Sequence, residues 1–353
     1  MKRKIFHRKN FFKLLFIPSL LLIFLMSATG CSLFTSEKND EKKEKENPVI
    51  ETPEPVTEEV VAIPTSPYTG EPLTEEEMIP FMAVIENSNL ARPQSGLTEA
   101  DIVFETMAEG GIPRFIALFH SKSPDIIGPI RSARPYFLDL SVEYGLPFAH
   151  CGGSADALES ISTGIGLSLN EFRYGSHFWR DSSRKAPHNL YTSAEKLRAL
   201  IKDLGYIKAP ESLLSFQDSY WNDNTHATAQ DVIIKANNNY TTAYTYKDGT
   251  YHKSMNSTES TDRETGNFIS AKNIVIQITD IETRGDGRLN IRLTGEGEGF
   301  LISSGYYEKI TWKKNEKGGT ELFDNSGKKI PLNTGNTWWH IVSPSFNITI
   351  NGE

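Results

Sequence analysis

Cysteine is nearly absent from the 353-residue sequence, which has only Cys31 and Cys151. A fold stapled by several disulfides is therefore excluded. If Cys31 carries a lipid, as its surroundings indicate below, Cys151 has no partner left in the chain. The mature protein is then expected to have no intrachain disulfide.

Positive charge is also scarce once the N-terminal leader is set aside. The leader holds six lysines and arginines and no acidic residue, so the rest has 31 basic residues against 45 acidic ones, a net charge of −14. A body with this charge is repelled by nucleic acid phosphates and by anionic lipid headgroups. We therefore expect no nucleic-acid partner.

Long apolar runs are missing outside the first 30 residues. There, the basic stretch "MKRKIFHRKNFFK" is followed by "LLFIPSLLLIFLMSA" and the small residues "ATG" before Cys31. This order is typical of a signal peptide, and the last residues resemble a bacterial lipobox. The resemblance implies cleavage after Gly30 and a diacylglyceryl anchor on Cys31, at the outer face of the cell membrane. An uncleaved transmembrane anchor, or a secretory signal with an incidental cysteine, remains the alternative.

The sequence after Cys31 divides into regions of different composition. Residues 31–65 are charged, rich in Glu, Lys and Pro and nearly free of aromatics, which predicts a disordered tether. The length of the remainder predicts two domains. We expect a mixed α/β domain over 66–205, a junction over 206–228 and a mostly β domain over 229–353.

The first of these domains alternates strand-like and helix-like segments. "PFMAVIEN", "ADIVFETMA", "PRFIALFH" and "LPFAHC" have the composition of strands, while "SARPYFLDLSVEYG" and "TSAEKLRALIKDLG" have that of helices. Ser132 is expected to cap the first helix, and Thr192 and Glu195 have capping-box spacing at the second. Such interleaving predicts a mixed α/β layer.

The second domain has short segments rich in Thr, Tyr, Ile and Val, separated by turn residues. Asp248-Gly249 predicts a type I′ hairpin, and the spacing of the segments favours a small sandwich or barrel. The fold class of the whole chain is therefore predicted as α+β.

Four motifs give the sequence a family resemblance: "IENSNLARPQSGLTEADIVFETMAEGGIPRF", "GPIRSARPYF", "HCGGSADAL" and "RKAPHNLY". With these, the chain resembles the YerB-type lipoproteins of Bacillus-like bacteria, from about residue 70 to the end. The resemblance implies a pair of N- and C-terminal domains in an extracytoplasmic, lipid-anchored protein of the cell envelope. It implies no catalytic residue, because the family has no assigned activity.

Arginines near turn signals are the most informative polar residues of the first domain. Guanidinium forks match carboxylate and phosphate groups, so a cluster of them in an acidic protein predicts an anion site. The alternative is that they pair with acidic residues inside the fold. The residues assigned to the hypothetical site are Arg92, Glu105, Glu109, Arg114, Arg131, Arg134, His150, Gly152, Gly153, Ser154, Arg184 and His188.

Within this set, Gly152-Gly153-Ser154 is expected to join a strand to a helix capped by Ser154. A helix start presents free N–H groups to an anion. The spacing lacks a dinucleotide or P-loop fingerprint, however, and an ordinary strand-to-helix connection explains it equally well. No cofactor is predicted.

Catalytic arrangements are poorly supported by the pattern. Adjacent strand residues face opposite ways, so His150 cannot easily activate Cys151. Glu105 and Glu109 would lie on one face of a strand over 101–109, about 13 Å apart and too far for glycosidase chemistry. His188 could serve as a base or a ligand, although a structural histidine is more common. His150, His177 and His188 lack metal-motif spacing, so no metal is predicted.

Aromatic residues of the second domain, Trp338, Trp339, Tyr306 and Tyr307, could stack on a carbohydrate. A core role is favoured, with one residue of each pair facing in and one out. The function predicted is a non-catalytic binding or regulatory module for cell-wall material, such as peptidoglycan, or for an envelope protein. The alternative is a hydrolase or transferase that acts on an anionic envelope substrate through an arginine-rich cleft, with His150 or His188 as acid or base.

Overall fold

Three α-helices occur in the part of the chain that the computed structural model describes, residues 64–73, 78–221 and 225–351. They are α1 (Pro135–Glu143), α2 (Ala155–Ser162) and α3 (Ala194–Asp203). None of the helices in these ranges is both long enough and apolar enough to cross a bilayer. The predicted leader, Cys31 and nearly all of the predicted tether lie outside the described residues.

Most of the regular structure is β. The strands before residue 200 are β1 (Phe81–Ile85), β2 (Ile102–Met107), β3 (Pro113–Phe119), β4 (Pro147–His150), β5 (Leu167–Asn170), β6 (Trp179–Arg180) and β7 (Leu190–Tyr191). Those that follow are β8 (Ala227–Thr228), β9 (Asp231–Asn237), β10 (Tyr240–Lys247), β11 (Thr250–Met255), β12 (Thr258–Glu259), β13 (Ser270–Ala271), β14 (Asn273–Ile278), β15 (Ile281–Thr283), β16 (Leu289–Ile291), β17 (Gly295–Ser303), β18 (Tyr306–Lys314), β19 (Glu321–Phe323), β20 (Thr337–Val342) and β21 (Asn347–Asn351).

A mixed 11-stranded sheet is the centre of the fold, in the order β19-β18-β17-β14-β20-β2-β3-β1-β4-β5, with β8 paired to β18. β20 runs parallel to both β14 and β2, and so joins strands of the two predicted domains in one sheet. Residues from both predicted domains belong to a single compact unit. The domain boundaries themselves remain a prediction.

Both faces of the central sheet are covered, which explains the apolar runs of its strands. On one face, Phe81, Phe115 and Trp338 pack with α3 and with side chains of a second sheet, β12-β11-β10-β9-β21 with β13. On the other face, Met82, Ile116 and Trp339 pack with α1. Trp338 and Trp339 are thus both core residues. The prediction of one inward and one outward tryptophan was wrong, because it assumed a sheet with one solvated face.

The predicted α+β class is confirmed, with a mixed first half and a mostly β second half. The hairpin of β10 and β11 is also confirmed: Asp248 and Gly249 both have positive φ, at 52° and 83°. This is the conformation that a type I′ turn requires.

Two predicted helix starts are wrong by one to three residues. α1 begins at Pro135 with Arg134 at its N-cap, rather than at Ser132, because residues 130–133 are bonded to strand ends instead. α3 is capped by Ser193, whose hydroxyl accepts from the Lys196 N–H, so Thr192 is not the cap. Thr192 instead pairs with Ile127.

Candidate functional site at the carboxyl edge of the central sheet

The ends of several strands of the central sheet lie together at one edge. β1 and β4 are parallel, and β3 is antiparallel to both β1 and β2. The carboxyl ends of β1, β2 and β4 therefore lie beside the start of β3. We call the residues Glu86, Glu109, Arg114, Arg131, Arg134 and His188 the carboxyl-edge cluster.

The segment that carries Arg131 is fastened between two strand ends. The Arg131 N–H donates to the Val84 carbonyl of β1, and the Arg131 carbonyl accepts from the Cys151 N–H just after β4. This places the Arg131 guanidinium beside Glu86, with Nε 3.1 Å from Oε2. Glu86 is only 3% exposed, so its charge needs such a partner.

His188 binds the same carboxylate. Its Nδ1 lies 2.9 Å from both oxygens of Glu86, and the Ser88 hydroxyl donates to Glu86 Oε1 at 2.7 Å. Arg131, His188 and Ser88 therefore share one buried carboxylate, and "RKAPHNLY" and "GPIRSARPYF", two of the motifs singled out in the sequence, meet there.

Arg134 forms its ion pair with a different carboxylate, that of Glu109. Its Nε donates to Glu109 Oε1 and its Nη1 to the Ala133 carbonyl. Burial alone would raise the pKa of Glu109, but the hydrogen bond and charge of Arg134 hold it below its usual range. Glu109 had been predicted to lie on a strand over 101–109, but β2 ends at Met107. Gly110 and Gly111 then turn the chain, with φ of 72° and 70°.

Arg114 lies between these two ion pairs and has none of its own. Among the described residues its guanidinium makes one long hydrogen bond, 3.5 Å from Nη1 to the Ser132 carbonyl. Among the described residues, no carboxylate comes within ion-pairing distance of it. Burial, together with the charges of Arg134 and Arg131, lowers the pKa of Arg114 to about 10. The carboxyl-edge cluster therefore contains three guanidiniums and two carboxylates.

Glu105, which was assigned to the anion site, lies elsewhere. It points between the two sheets, where Lys253 Nζ lies 3.3 Å from Oε2, Trp338 Nε1 donates at 2.9 Å and the Thr242 hydroxyl donates at 3.0 Å. His340 Nδ1 lies 3.9 Å away and its Nε2 shares a hydrogen bond with the Tyr244 hydroxyl. We call these six residues the core charge network: Glu105, Lys253, His340, Trp338, Thr242 and Tyr244.

Both carboxylate oxygens of Glu105 already have partners inside the core charge network. Glu105 is 4% exposed and Lys253 is 3% exposed, with the ammonium 4.8 Å from the centroid of the Trp338 ring. The geometry corrects the assignment of Glu105 to the anion site. The alternation of "TYHKSM" carries the missed signal: Lys253 falls in phase with the buried Tyr251 and Met255 of β11.

His150 is also occupied within the fold. Its Nδ1 donates to the Gly152 carbonyl and its Nε2 accepts from the Ser168 hydroxyl, both at 2.7 Å. Burial lowers the pKa of His150 to about 4. Cys151 faces away and donates to Glu171 at 3.4 Å, as the strand alternation predicted. An acid or base role for His150 is therefore disfavoured.

The Gly152-Gly153-Ser154 turn is largely used by the fold too. The Gly152 N–H donates to Asn170 Oδ1, and the Ser154 N–H donates to the Ala133 carbonyl. Gly152 has φ of 58°, and a Cβ there would lie 2.7 Å from the Phe172 ring, so a side chain does not fit. The predicted helix is present as α2. Ser154 occupies its N-cap position, although the Ser154 side chain makes no capping hydrogen bond.

Arg92 and Arg184 are held by backbone and amide groups rather than by the cluster. Arg92 donates to the side chain and the carbonyl of Asn87. Arg184 donates to the carbonyls of Ala91 and Pro93, both at 2.6 Å. Both residues therefore serve to fix the 87–93 loop. In the described ranges, no grouping of three or more His, Cys, Asp or Glu could hold a metal ion.

Comparisons with known proteins agree with this architecture. Residues 68–207 match the family described as "Protein of unknown function (DUF3048) N-terminal domain", and residues 229–339 match the corresponding C-terminal domain. A Bacillus subtilis (strain 168) protein named "Putative lipoprotein YerB" is 36% identical over 287 residues, which is 78% of this chain and 86% of the relative.

A solved structure is similar as well. The crystal structure of YerB from Bacillus subtilis matches with a TM-score of 0.73 at 35% identity, over 81% of this chain and 99% of that one. The family resemblance seen in the sequence is therefore confirmed: this chain belongs to the DUF3048 family of proteins of unknown function, which includes YerB.

Proposed function

We propose that this protein is a lipid-anchored, non-catalytic binding module on the outer face of the bacterial cell membrane, and that its carboxyl-edge cluster binds an anionic group of cell-envelope material. The anchor is supported by the lipobox-like residues before Cys31 and by the name of the YerB relative. If the assignment holds, Cys31→Ala abolishes incorporation of labelled fatty acid. Incorporation into that variant contradicts it.

The observation that carries the binding function is the unpaired guanidinium of Arg114. Arg131 and Arg134 each have a carboxylate, so the positive charge of Arg114 is the surplus of the cluster. Arg114 is half-buried, and a charge partly removed from water without a partner costs free energy. Binding of an anion at Arg114 offsets that cost, and a guanidinium is well suited to both carboxylate and phosphate oxygens.

The position of the cluster suits a peripheral ligand. Arg131 and Arg134 retain 24% and 16% side-chain exposure, so the cluster is open to solvent at its rim. The body of the protein has a net negative charge, so the surplus positive charge at Arg114 favours the approach of an anionic polymer at this edge of the sheet. Cell-wall material such as peptidoglycan carries the required acidic groups.

A second candidate, an enzyme acting on an anionic envelope substrate, is favoured by the pairing of Glu86 with His188. A carboxylate on one ring nitrogen of a histidine orients the other for proton transfer. Ser88, however, lies on the Nδ1 side, 3.5 Å from that atom, and not where a nucleophile would meet Nε2. Turnover of wall material that is abolished in His188→Gln would establish this candidate instead.

The test of the binding function is retention of the full chain on isolated anionic wall material. Arg114→Met removes the guanidinium and keeps the apolar stem, and we expect it to lose about 10-fold or more in affinity. Lys313→Met is the matched control, since it removes one exposed positive charge from β18, five strands away. Equal retention of wild type and Arg114→Met would contradict the proposal.

A further inference from the structure

We infer that the carboxyl-edge cluster recognises a ligand unit in which an acidic group lies next to a hydroxyl or ammonium group, and that Tyr136 contacts this unit directly. The inference rests on the proposed function and names the ligand chemistry of the same site. Three side chains carry it, Arg114, Tyr136 and Glu109. Two of them have a buried polar atom without a hydrogen-bond partner among the described residues, and Arg114 has only one long bond.

Tyr136 is a binding residue that sequence reasoning missed. It is the second residue of α1, it is 2% exposed, and its hydroxyl has no hydrogen-bond partner within the described part of the chain. Burial and the nearby charge of Glu109 raise its pKa, so the hydroxyl keeps its proton, and Arg114 and Arg134 are close enough to oppose that shift. A buried tyrosine hydroxyl usually has a partner. Here the hydroxyl can donate to an acidic oxygen.

Glu109 supplies the opposite capability. Its Oε1 accepts from Arg134, while its Oε2 is buried and makes no hydrogen bond of normal geometry among the described residues, although the Glu109 N–H lies near enough to the carboxylate to help lower its pKa against the effect of burial. The carboxylate is ionised at neutral pH, because Arg134 and Arg114 outweigh the effect of burial on its pKa. An ionised oxygen of this kind calls for a donor, which a simple anion cannot provide.

The backbone holds these groups together. The Ala133 N–H donates to the Gly152 carbonyl and the Ala133 carbonyl accepts from the Ser154 N–H, so the first turns of α1 and α2 lie side by side. Ser154 is 5% exposed, and its hydroxyl makes no hydrogen bond of normal geometry, although it lies near enough to Asp156 to help lower the pKa of that carboxyl against the effect of burial. Two helix starts at one point favour an acidic group there.

Arg114 and Tyr136 thus offer donors, and Glu109 offers an acceptor beside them. An acid alone would be attracted by the first two and repelled by the third. An acid with an adjacent donor satisfies all three. Alanine has this arrangement through its ammonium, and glycerol 3-phosphate has it through its hydroxyl, whereas acetate and methyl phosphate carry the acidic group alone.

Calorimetric titration of the full chain with these four compounds tests the inference. We expect alanine or glycerol 3-phosphate to bind about 10-fold tighter than its matched acid, since a hydrogen bond to a charged group contributes that much. The tighter of the two identifies the source, an amino-acid end or a phosphate beside a hydroxyl. Tyr136→Phe should weaken the preferred compound about 10-fold without lowering the midpoint of urea unfolding, because its hydroxyl bonds to none of the residues that the structure describes.

Glu109→Gln should change the affinities of the two kinds of compound in opposite directions. It should weaken the donor-bearing compound and strengthen the matched acid, since repulsion is removed. Equal binding of all four compounds, or none, overturns the inference. The proposed function then still stands if Arg114→Met loses retention on wall material, and falls separately if it does not. A Tyr136→Phe protein that unfolds at clearly lower urea would show that the hydroxyl is structural and would also overturn the inference.

Discussion

Glu105 of the core charge network and Arg114 of the carboxyl-edge cluster lie at neighbouring positions of β2 and β3 but on opposite faces of the central sheet, and they differ in how their charges are matched. Between the sheets, Glu105 has Lys253, Trp338 and Thr242 as partners, and both charged groups are less than 5% exposed. At the edge, Arg131 and Arg134 have carboxylates, whereas Arg114 has one long bond to a carbonyl.

The difference separates charges that hold the fold from a charge that is available for recognition. A buried pair whose partners are complete is strongly destabilised when one member is removed, because the other is left alone. A guanidinium that has no partner to strand can be removed without that penalty. Removing the charge of Lys253 should therefore destabilise the fold, whereas removing that of Arg114 should leave its stability unchanged or slightly higher.

Lowering the pH should destabilise the buried region, and this is the largest effect expected on the free energy of unfolding. Burial lowers the pKa of His340, and likewise of His120 and His150, from 6.5 to about 4. Between pH 6.5 and pH 4 the unfolded chain therefore binds more protons than the folded one, so the free energy of unfolding falls as the pH falls. Each histidine contributes up to about 3 kcal/mol.

Urea unfolding at pH 7, 6 and 5 measures this loss. Glu105 adds to it in stronger acid: burial alone would raise its pKa, but Lys253 and the hydrogen bonds to Glu105 lower it, so its contribution disappears as the carboxylate is protonated. His340→Gln should reduce the dependence by one proton. A free energy of unfolding that stays constant from pH 7 to pH 5 would show that these histidines are not held neutral.

Removing one member of the buried pair should have the next largest effect. Lys253→Met leaves Glu105 between the sheets without its cationic partner, and we expect a loss of about 3–5 kcal/mol in the free energy of unfolding at pH 7. Adding Glu105→Gln to that variant removes the stranded charge while keeping an acceptor for Trp338 and Thr242, and should recover part of the loss. An unchanged urea midpoint for Lys253→Met would mean that the pair is not buried as described.

A paired arginine at the edge should give a smaller effect. Arg131→Gln deprives Glu86 of one partner but leaves His188 and Ser88, so a loss of about 1–3 kcal/mol is expected. The exposed Lys313→Met control should change the free energy by less than about 0.5 kcal/mol. If Arg131→Gln matched the control, its pairing with Glu86 would contribute nothing to the fold.

The sequence indicates much of this arrangement. Apolar runs predicted β1 to β4, and the Asp248-Gly249 pair predicted the hairpin of β10 and β11, because both signals are local. The arginines near turn signals correctly drew attention to Arg114, Arg131 and Arg134, which the fold brings to one edge. Their partition into two paired residues and one unpaired residue depends on contacts far apart in the sequence.

Other features of the fold could not be predicted from neighbouring residues in the sequence. Glu105 was grouped with the arginines because it is near them in the chain, but the pleat of β2 directs it to the opposite face, toward Lys253, 148 positions later. The assumption of a solvated sheet face misplaced one tryptophan of the Trp338-Trp339 pair. Both errors arise because β20 crosses into the first half of the chain and closes a sheet that is covered on both sides.

Urea unfolding of Arg114→Met beside wild type at pH 7 tests the distinction most directly. Because the guanidinium has no carboxylate partner and the methionine keeps the apolar stem, we expect a free energy of unfolding equal to that of wild type or about 1 kcal/mol higher. A loss of about 3 kcal/mol or more, similar to that expected for Lys253→Met, would show that Arg114 holds the fold together, and would contradict its assignment as the charge available to a ligand.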